Sequence, residues 1–67
     1  MVHKLQSTSI EHIDFHEPHT LEIKFTSGAT YHYFDCEKKH FDNLKESKSA
    51  GSYFRHSVLN KYRHEKQ

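Results

Sequence analysis

Residues 20–33, TLEIKFTSGATYHY, contain two stretches of alternating apolar and polar side chains separated by a short polar break. In the first stretch the apolar side chains occupy every second position: Leu21, Ile23 and Phe25. The second stretch repeats this spacing with Tyr31 and Tyr33. Because a period of two is typical of a strand with one buried face, the segment is predicted to be a β-hairpin.

Gly28 is predicted to occupy the third position of a three-residue hairpin loop, where a residue without a Cβ adopts a positive φ at little cost. The cross-strand pairs that follow from this loop are Phe25–Ala29, Ile23–Tyr31 and Leu21–Tyr33. A two-residue loop at Ser27-Gly28 would shift the pairing by one residue and turn both tyrosines to the opposite face. We favour the first register because it gives five apolar side chains one common face.

A further strand is predicted upstream, at Ser9–Phe15, where Ile13 and Phe15 share one face. Ile10 is out of phase with this pair, so the strand requires either a β-bulge or a later start. Residues 16–19, HEPH, form the turn into the hairpin. The three strands together make an antiparallel meander.

The first of two predicted helices spans Glu37–Ser47, with Asp35 as its N-cap. Its apolar stripe is thin and depends mainly on Phe41 and Leu44. A helix with so little apolar surface is not stable in isolation, so it must pack on the sheet.

The second helix is predicted over Ala50–Arg63, with Ser49 as its N-cap. Its apolar residues follow a four-residue spacing: Phe54, Val58 and Tyr62. Gly51 lies on the same side of the helix, which predicts a close approach of the backbone to a neighbouring element.

These elements predict an α+β fold of order β-β-β-α-α, with both helices packed on one face of a three-stranded antiparallel meander. The 67 residues form a single domain, with a core at 7–62 and loose ends at 1–6 and 64–67.

The composition indicates a small soluble protein without a membrane span or signal peptide. Only 33% of the residues are hydrophobic, and no apolar run approaches the roughly 20 residues that cross a bilayer. The single cysteine, Cys36, excludes an internal disulfide and favours a reducing compartment, so a cytoplasmic location is predicted. Homodimerisation would be one way to extend so small a core.

The order and spacing of several short motifs resemble the KTSC domain, which is named for its occurrence at the C-terminus of some lysyl-tRNA synthetases. The matching elements are Ser7 with Ile10, Thr20–Phe25, Gly28, Tyr31-His32-Tyr33, Ser49–Phe54, and Val58 with Tyr62. The resemblance implies the α+β fold, and the synthetase context suggests RNA binding. Two positions depart from the family pattern: Cys36-Glu37 replaces Val-Pro, and Ala50 replaces a lysine that would be a candidate phosphate contact.

Charge is unevenly distributed along the chain, although the formal net charge is only +1. Residues 1–35 carry two basic and five acidic side chains, whereas residues 36–67 carry eight basic and four acidic ones. A basic half favours an anionic partner, although a solvated helix surface has the same composition. The candidate nucleic-acid-binding residues in this half are Lys48, Ser49, Tyr53, Arg55, Lys61 and Arg63. The free amides at the start of the second helix would add an anion-binding group.

The sheet offers a second candidate surface. Tyr31 and Tyr33 could stack on bases, as in sheet-based RNA readers, but the preferred register makes them core residues. If the opposite face is open, His32 and Phe34 are its candidate contacts with a base or a phosphate, and Glu22 would oppose an anion there.

Metal binding and catalysis are not predicted. The chain has eight histidines, but no H-x₃₋₅-H pair is matched with a C-x₂₋₄-C pair, and the single cysteine, Cys36, lies elsewhere in the chain. Cys36 is interpreted as a packing residue, and no glycine-rich phosphate loop is present. No cofactor is expected.

The sequence therefore predicts a non-catalytic binding domain with RNA as the leading partner. The alternative is a protein-interaction module or homodimeric adaptor that uses Phe34 and the exposed sheet face or edge. Salt dependence separates the two, because phosphate contacts weaken steeply with ionic strength.

Overall fold

The computed structural model describes residues 2–67, which form five strands and two helices. In chain order these are β1 His3–Lys4, β2 Ile10–His16, β3 Thr20–Phe25, β4 Thr30–Tyr33, α1 Lys38–Glu46, α2 Ala50–Ser57 and β5 His64–Lys66. The strands form one antiparallel sheet in the order β1-β2-β3-β4-β5. The α+β class and the two helices are confirmed, but the sheet has five strands rather than three.

The hairpin β3–β4 has the predicted register, with Leu21 opposite Tyr33 and Ile23 opposite Tyr31. Gly28 has a φ of 102°, and its N–H donates to the Phe25 carbonyl at 2.9 Å. Glycine tolerates this left-handed conformation because it has no Cβ. The three-residue loop is confirmed.

The irregularity predicted near Ile10 is a register shift between Ile10 and His12 in the pairing of β2 with β3. The shift allows both Ile10 and Ile13 to be completely buried, although their spacing does not fit a regular strand. It also places His12, Asp14 and His16 on the face of the sheet opposite the core.

Both chain ends were predicted to be loose, and this prediction is wrong for β1 and β5. Strand β5 pairs with β4 through Tyr31–Lys66 and Tyr33–His64, and strand β1 pairs with β2 through Lys4–His12. All residues of β1 and β5 are exposed. These edge strands are held mainly by backbone pairing, so they carry no alternation of apolar side chains that could be recognised in the sequence.

The helix boundaries also differ from the predicted ones. Helix α2 ends at Ser57 rather than Arg63, and Asn60, with a φ of 64°, lies in the turn that leads into β5. Asp35 is not a helix cap, because it has a φ of 56° and Glu37 precedes α1 instead. Ser49 is the residue before α2 as predicted, but its side chain makes no capping hydrogen bond.

The core lies between the sheet and the two helices, which cover one face as predicted. The sheet contributes the buried side chains of Ile10, Ile13, Phe15, Leu21, Ile23 and Tyr33, and the helical half contributes those of Cys36, Phe41, Leu44, Ala50, Phe54 and Val58. The Tyr33 and Phe54 rings meet edge to face, with centroids 5.4 Å apart. Both tyrosines of β4, Tyr31 and Tyr33, pack with the core, which confirms the prediction that they are core residues.

Cys36 is a completely buried free thiol. Burial, with a smaller effect of the Glu37 carboxylate, raises its pKa to about 11. A thiol that remains protonated is a poor nucleophile, so its environment fits the predicted packing role. Neither α1 nor α2 is long and apolar enough to cross a membrane, and residues 2–67 contain no other α-helix.

Candidate nucleic-acid interface

A cleft of about 470 Å³ lies between the segment that precedes β2 and the first turns of α2. One wall is formed by residues 5–9, and the other by residues 47–52 together with Arg55. The two walls are about 40 residues apart in the sequence. The cleft therefore exists only in the folded chain.

The upstream wall is ordered by local hydrogen bonds of its hydroxyl groups. Ser7 Oγ accepts from the backbone N–H of Ser9 at 3.2 Å and from that of Ile10 at 3.3 Å. Short hydroxyl side chains commonly close turns in this way. The Thr26 hydroxyl binds the same segment from the hairpin loop, donating to the Thr8 carbonyl at 3.1 Å. These contacts hold the wall at the start of β2.

Gly51 allows α2 to lie close to this wall. A Cβ at Gly51 would be only 2.6 Å from Ser9 Oγ, which is shorter than any ordinary contact. The absence of a side chain therefore positions the first turn of the helix against Ser9. The close approach predicted at Gly51 is confirmed.

The lining of the cleft is positive. Lys48 and Arg55 are its two charged side chains, both are exposed, and no carboxylate lines it. Within residues 2–67, neither Lys48 nor Arg55 forms an ion pair with a carboxylate. Their charges are thus available to an anion, and the hydroxyls of Ser7, Ser9 and Ser52 add hydrogen-bonding capacity.

Backbone amides at the start of α2 reinforce this charge. The first hydrogen bond of the helix runs from the Tyr53 N–H to the Ser49 carbonyl at 2.9 Å. The three preceding amides therefore have no partner within the helix, and they carry the partial positive charge of a helix N-terminus.

The predicted site residues separate into different parts of the molecule. Lys48, Ser49 and Arg55 are at the cleft, whereas Lys61 is exposed in the turn after α2. Tyr53 is half-buried, and its hydroxyl lies 2.9 Å from His40 Nδ1 and 2.9 Å from Asn43 Nδ2. This side chain joins the two helices, and its ring is not an exposed stacking surface.

Three other predicted residues lie together beside the end of β4. The Arg63 guanidinium stacks on the Phe34 ring at 4.7 Å, and the Phe34 ring meets His32 edge to face at 6.4 Å. Arg63 is also 4.0 Å from a carboxylate oxygen of Asp35, which partly neutralises it. This group has a weaker net positive charge than the cleft.

Several histidines surround Glu22 on the same open face. Burial alone would raise the pKa of Glu22, but the hydrogen bonds from His32 and His16 outweigh this effect and lower the pKa below its ordinary value. A lowered pKa favours the ionised carboxylate. This agrees with the prediction that Glu22 would oppose an anion on this face.

Sequence reasoning missed Ser9 and Ser52 as cleft residues and did not recognise a role for Ser7. The available signal was the Ser7–Ile10 motif, which the family resemblance had matched. Its spatial relation to α2 could not be seen from local sequence, because the two walls meet only through the packing of the helix on the sheet.

Comparison with known proteins is consistent with this architecture. The family model for the KTSC domain matches residues 6–62. The chain belongs to the KTSC domain family. A crystal structure of a KTSC domain protein from Yersinia pestis is similar to this chain with a TM-score of 0.90 and 25% sequence identity, covering 100% of this chain and 96% of that one. None of the curated proteins matches this chain.

Two of the short motifs that carried the resemblance meet at the cleft of this KTSC domain. Ser7 belongs to the upstream motif, and Ser49, Gly51 and Ser52 belong to the downstream motif. Ala50, one of the positions at which the sequence departs from the pattern of the resemblance, also lines the cleft. Lys48 and Arg55 are the two cationic side chains that line the cleft.

Proposed function

We propose that this KTSC domain is a non-catalytic nucleic-acid-binding module, with RNA as its preferred ligand, and that the cleft beside α2 is the binding site. The observation that supports the proposal is the lining of the cleft, which combines Lys48, Arg55 and several hydroxyls with no carboxylate. Such a lining matches a phosphodiester, which offers only acceptor oxygens and a negative charge.

The two cations have complementary properties for this ligand. The Arg55 guanidinium can donate two parallel hydrogen bonds to one phosphate, whereas the Lys48 ammonium acts as a mobile point charge. The free amides at the start of α2 can contact a phosphate between them. The serine hydroxyls can contact a ribose 2′-hydroxyl, which distinguishes RNA from DNA.

The other predicted contacts have secondary roles in this proposal. Tyr53 positions α2 against α1 through its hydroxyl and does not stack on a base. Phe34, His32 and Arg63 form a separate surface that a longer strand would reach, and Lys61 is an additional exposed cation. A cytoplasmic location belongs to the proposal as well, because Cys36 is a free thiol suited to a reducing compartment.

A protein-interaction module is less favoured. Within residues 2–67, Val2 is the only large apolar side chain that is exposed, with an exposed fraction of 59%. Strand β5 covers the edge of β4, so a partner strand would have to pair with β1 or β5, which are only two and three residues long. Phe34 is half-buried beneath Arg63. The surface predicted for a protein partner or a homodimer thus lacks an apolar patch.

The test is an NMR titration of the labelled domain with a short single-stranded RNA at about 50 and 200 mM salt. The doubly substituted Lys48→Gln, Arg55→Gln variant is compared with Lys38→Gln, Lys39→Gln, which removes the same charge from exposed positions of α1. We expect shifts at residues 47–55 and an affinity reduced at least about tenfold in the cleft variant. Loss of two phosphate contacts should also lower the slope of log K against log salt by about 1.4.

The α1 variant should retain most of the affinity and the slope of the wild type. Equal losses in both variants would indicate only a diffuse charge effect and would contradict a site in the cleft. An absence of shifts at low salt would overturn nucleic-acid binding itself.

A further inference from the structure

Three side chains from adjacent strands converge on the open face of the sheet. His16 Nε2 lies 3.0 Å from Glu22 Oε1, and His32 Nε2 lies 2.9 Å from the same oxygen. One potential ligand atom from each of these three residues lies within 4.8 Å of the other two. His12 is a neighbour, with its Nε2 3.9 Å from Glu22 Oε2.

The strand register explains this convergence. Glu22 is directly opposite His32 on β4 and opposite Asp14 on β2. His12 and His16 flank Asp14 at a spacing of two, so they share its face. The register shift after Ile10 sets this phase, because a regular strand from Ile10 would turn these residues towards the core.

The environment of the trio is partly shielded and retains access for solvent. The exposed side-chain fractions are 21% for Glu22, 25% for His32 and 46% for His16. Lys24, which alternates with Ile23 onto this face, lies 3.8 Å from the Glu11 carboxylate. The better shielded ligands can hold a fixed position, while His16 has room to move.

We propose that His16, Glu22 and His32 form a binding site for a divalent transition-metal ion of the zinc class. Two imidazole nitrogens and one carboxylate oxygen are a known zinc ligand set that leaves a fourth position for water or for another ligand such as His12. Imidazole ligands favour zinc and related ions over magnesium and calcium, which prefer oxygen.

Two of the three ligand separations are close to those of a tetrahedral site, and the third must shorten. Metal–ligand bonds of about 2.0–2.1 Å in a tetrahedron separate neighbouring ligand atoms by about 3.3 Å. The two nitrogen–oxygen distances are within about 0.4 Å of this value. The imidazoles must also approach each other, and His16 can do so by rotating its exposed side chain. A metal would replace the two hydrogen bonds that now join the imidazoles to the carboxylate.

The site was not predicted from the sequence, because the ligands follow no zinc-finger spacing. Residues 16, 22 and 32 are separated by irregular intervals that correspond to pairing across three strands rather than to a loop or a helix. The proposal does not depend on nucleic-acid binding at the cleft, which uses different residues; His32 is shared only with the secondary surface of Phe34 and Arg63.

The test uses the full chain prepared without a histidine tag and freed of metal by a chelator. It is titrated with Zn²⁺ by calorimetry and with Co²⁺, whose visible absorption reports coordination by the protein. We expect one ion per chain and NMR shifts centred on residues 14–16, 22 and 32. Glu22→Gln and His32→Gln should each weaken binding at least about tenfold.

The matched control is His56→Gln, which removes an exposed histidine from α2. It should retain the stoichiometry and affinity of the wild type. His16→Gln is a third ligand variant that should also weaken binding, at an exposed position where a folding defect is least expected. Circular dichroism verifies the fold of each variant. Absence of a one-to-one complex, or equal weakening by His56→Gln, would overturn the proposal.

Discussion

The two faces of the sheet are built from alternate residues of the same strands, yet they differ in almost every property. On the helix-covered face, Ile13, Leu21 and Ile23 are completely buried. On the open face, Glu22 and His32 are half-exposed and interact through hydrogen bonds. The comparison indicates that one face carries the stability of the fold, while the other can accommodate polar chemistry without disturbing the core.

The largest expected effect tests this division with two consecutive residues. Ile23→Ala should lower the free energy of unfolding by about 2–5 kcal/mol, because it removes buried methyl groups and leaves a cavity. Lys24→Ala, on the open face, should change it by less than about 1 kcal/mol, since only an exposed ion pair is lost. Urea unfolding of both variants measures the difference. Similar losses would contradict the asymmetry between the faces.

An intermediate effect is expected where α2 approaches the segment before β2. Gly51→Ala improves helix propensity by roughly 1 kcal/mol, but its Cβ would meet Ser9 Oγ at 2.6 Å. In a Ser9→Ala background the nearest remaining atom would be Ser9 Cβ at 3.9 Å. Gly51→Ala should therefore be more favourable in that background by about 1 kcal/mol. Additive effects in this double-mutant cycle would show that the contact is not tight.

The smallest of the three effects concerns a buried histidine on the helix-covered side. His40 is buried, and its Nε2 is 2.9 Å from the Tyr62 hydroxyl. Burial, assisted by the Lys39 ammonium, lowers the pKa of His40 below 6.5. Its contribution to the free energy of unfolding is thus fully present above about pH 6.5 and is lost as pH falls through the lower pKa of the folded state.

His40→Gln should reduce the loss of stability that accompanies acidification from about pH 8 to about pH 5. The matched control is Asn43→Ala, which removes a hydrogen bond to Tyr53 without removing a titrating group. This control should lower stability at each pH while retaining the wild-type slope. An unchanged slope in His40→Gln would show that His40 does not contribute to the pH dependence.

Part of the candidate site was predictable from the sequence. Lys48, Ser49 and Arg55 were identified because a local excess of basic residues beside a helix start is visible in the chain. Tyr53 was predicted as a contact residue, and its hydrogen bond with His40 could not be foreseen because it depends on how two helices pack. The walls contributed by Ser7 and Ser9 required knowledge of which distant segments meet.

The sequence by itself determined the hairpin, its register and the sides on which its residues lie. Alternation at Leu21 and Ile23 and a glycine at position 28 are local signals. They act through the hydrophobicity of the side chains and the backbone freedom of glycine, which do not depend on distant residues. The edge strands β1 and β5, the end of α2 at Ser57 and the meeting of His16, Glu22 and His32 were decided only by the tertiary structure. These features depend on backbone pairing and on packing between segments distant in the chain, for which a local pattern of side chains contains no signal.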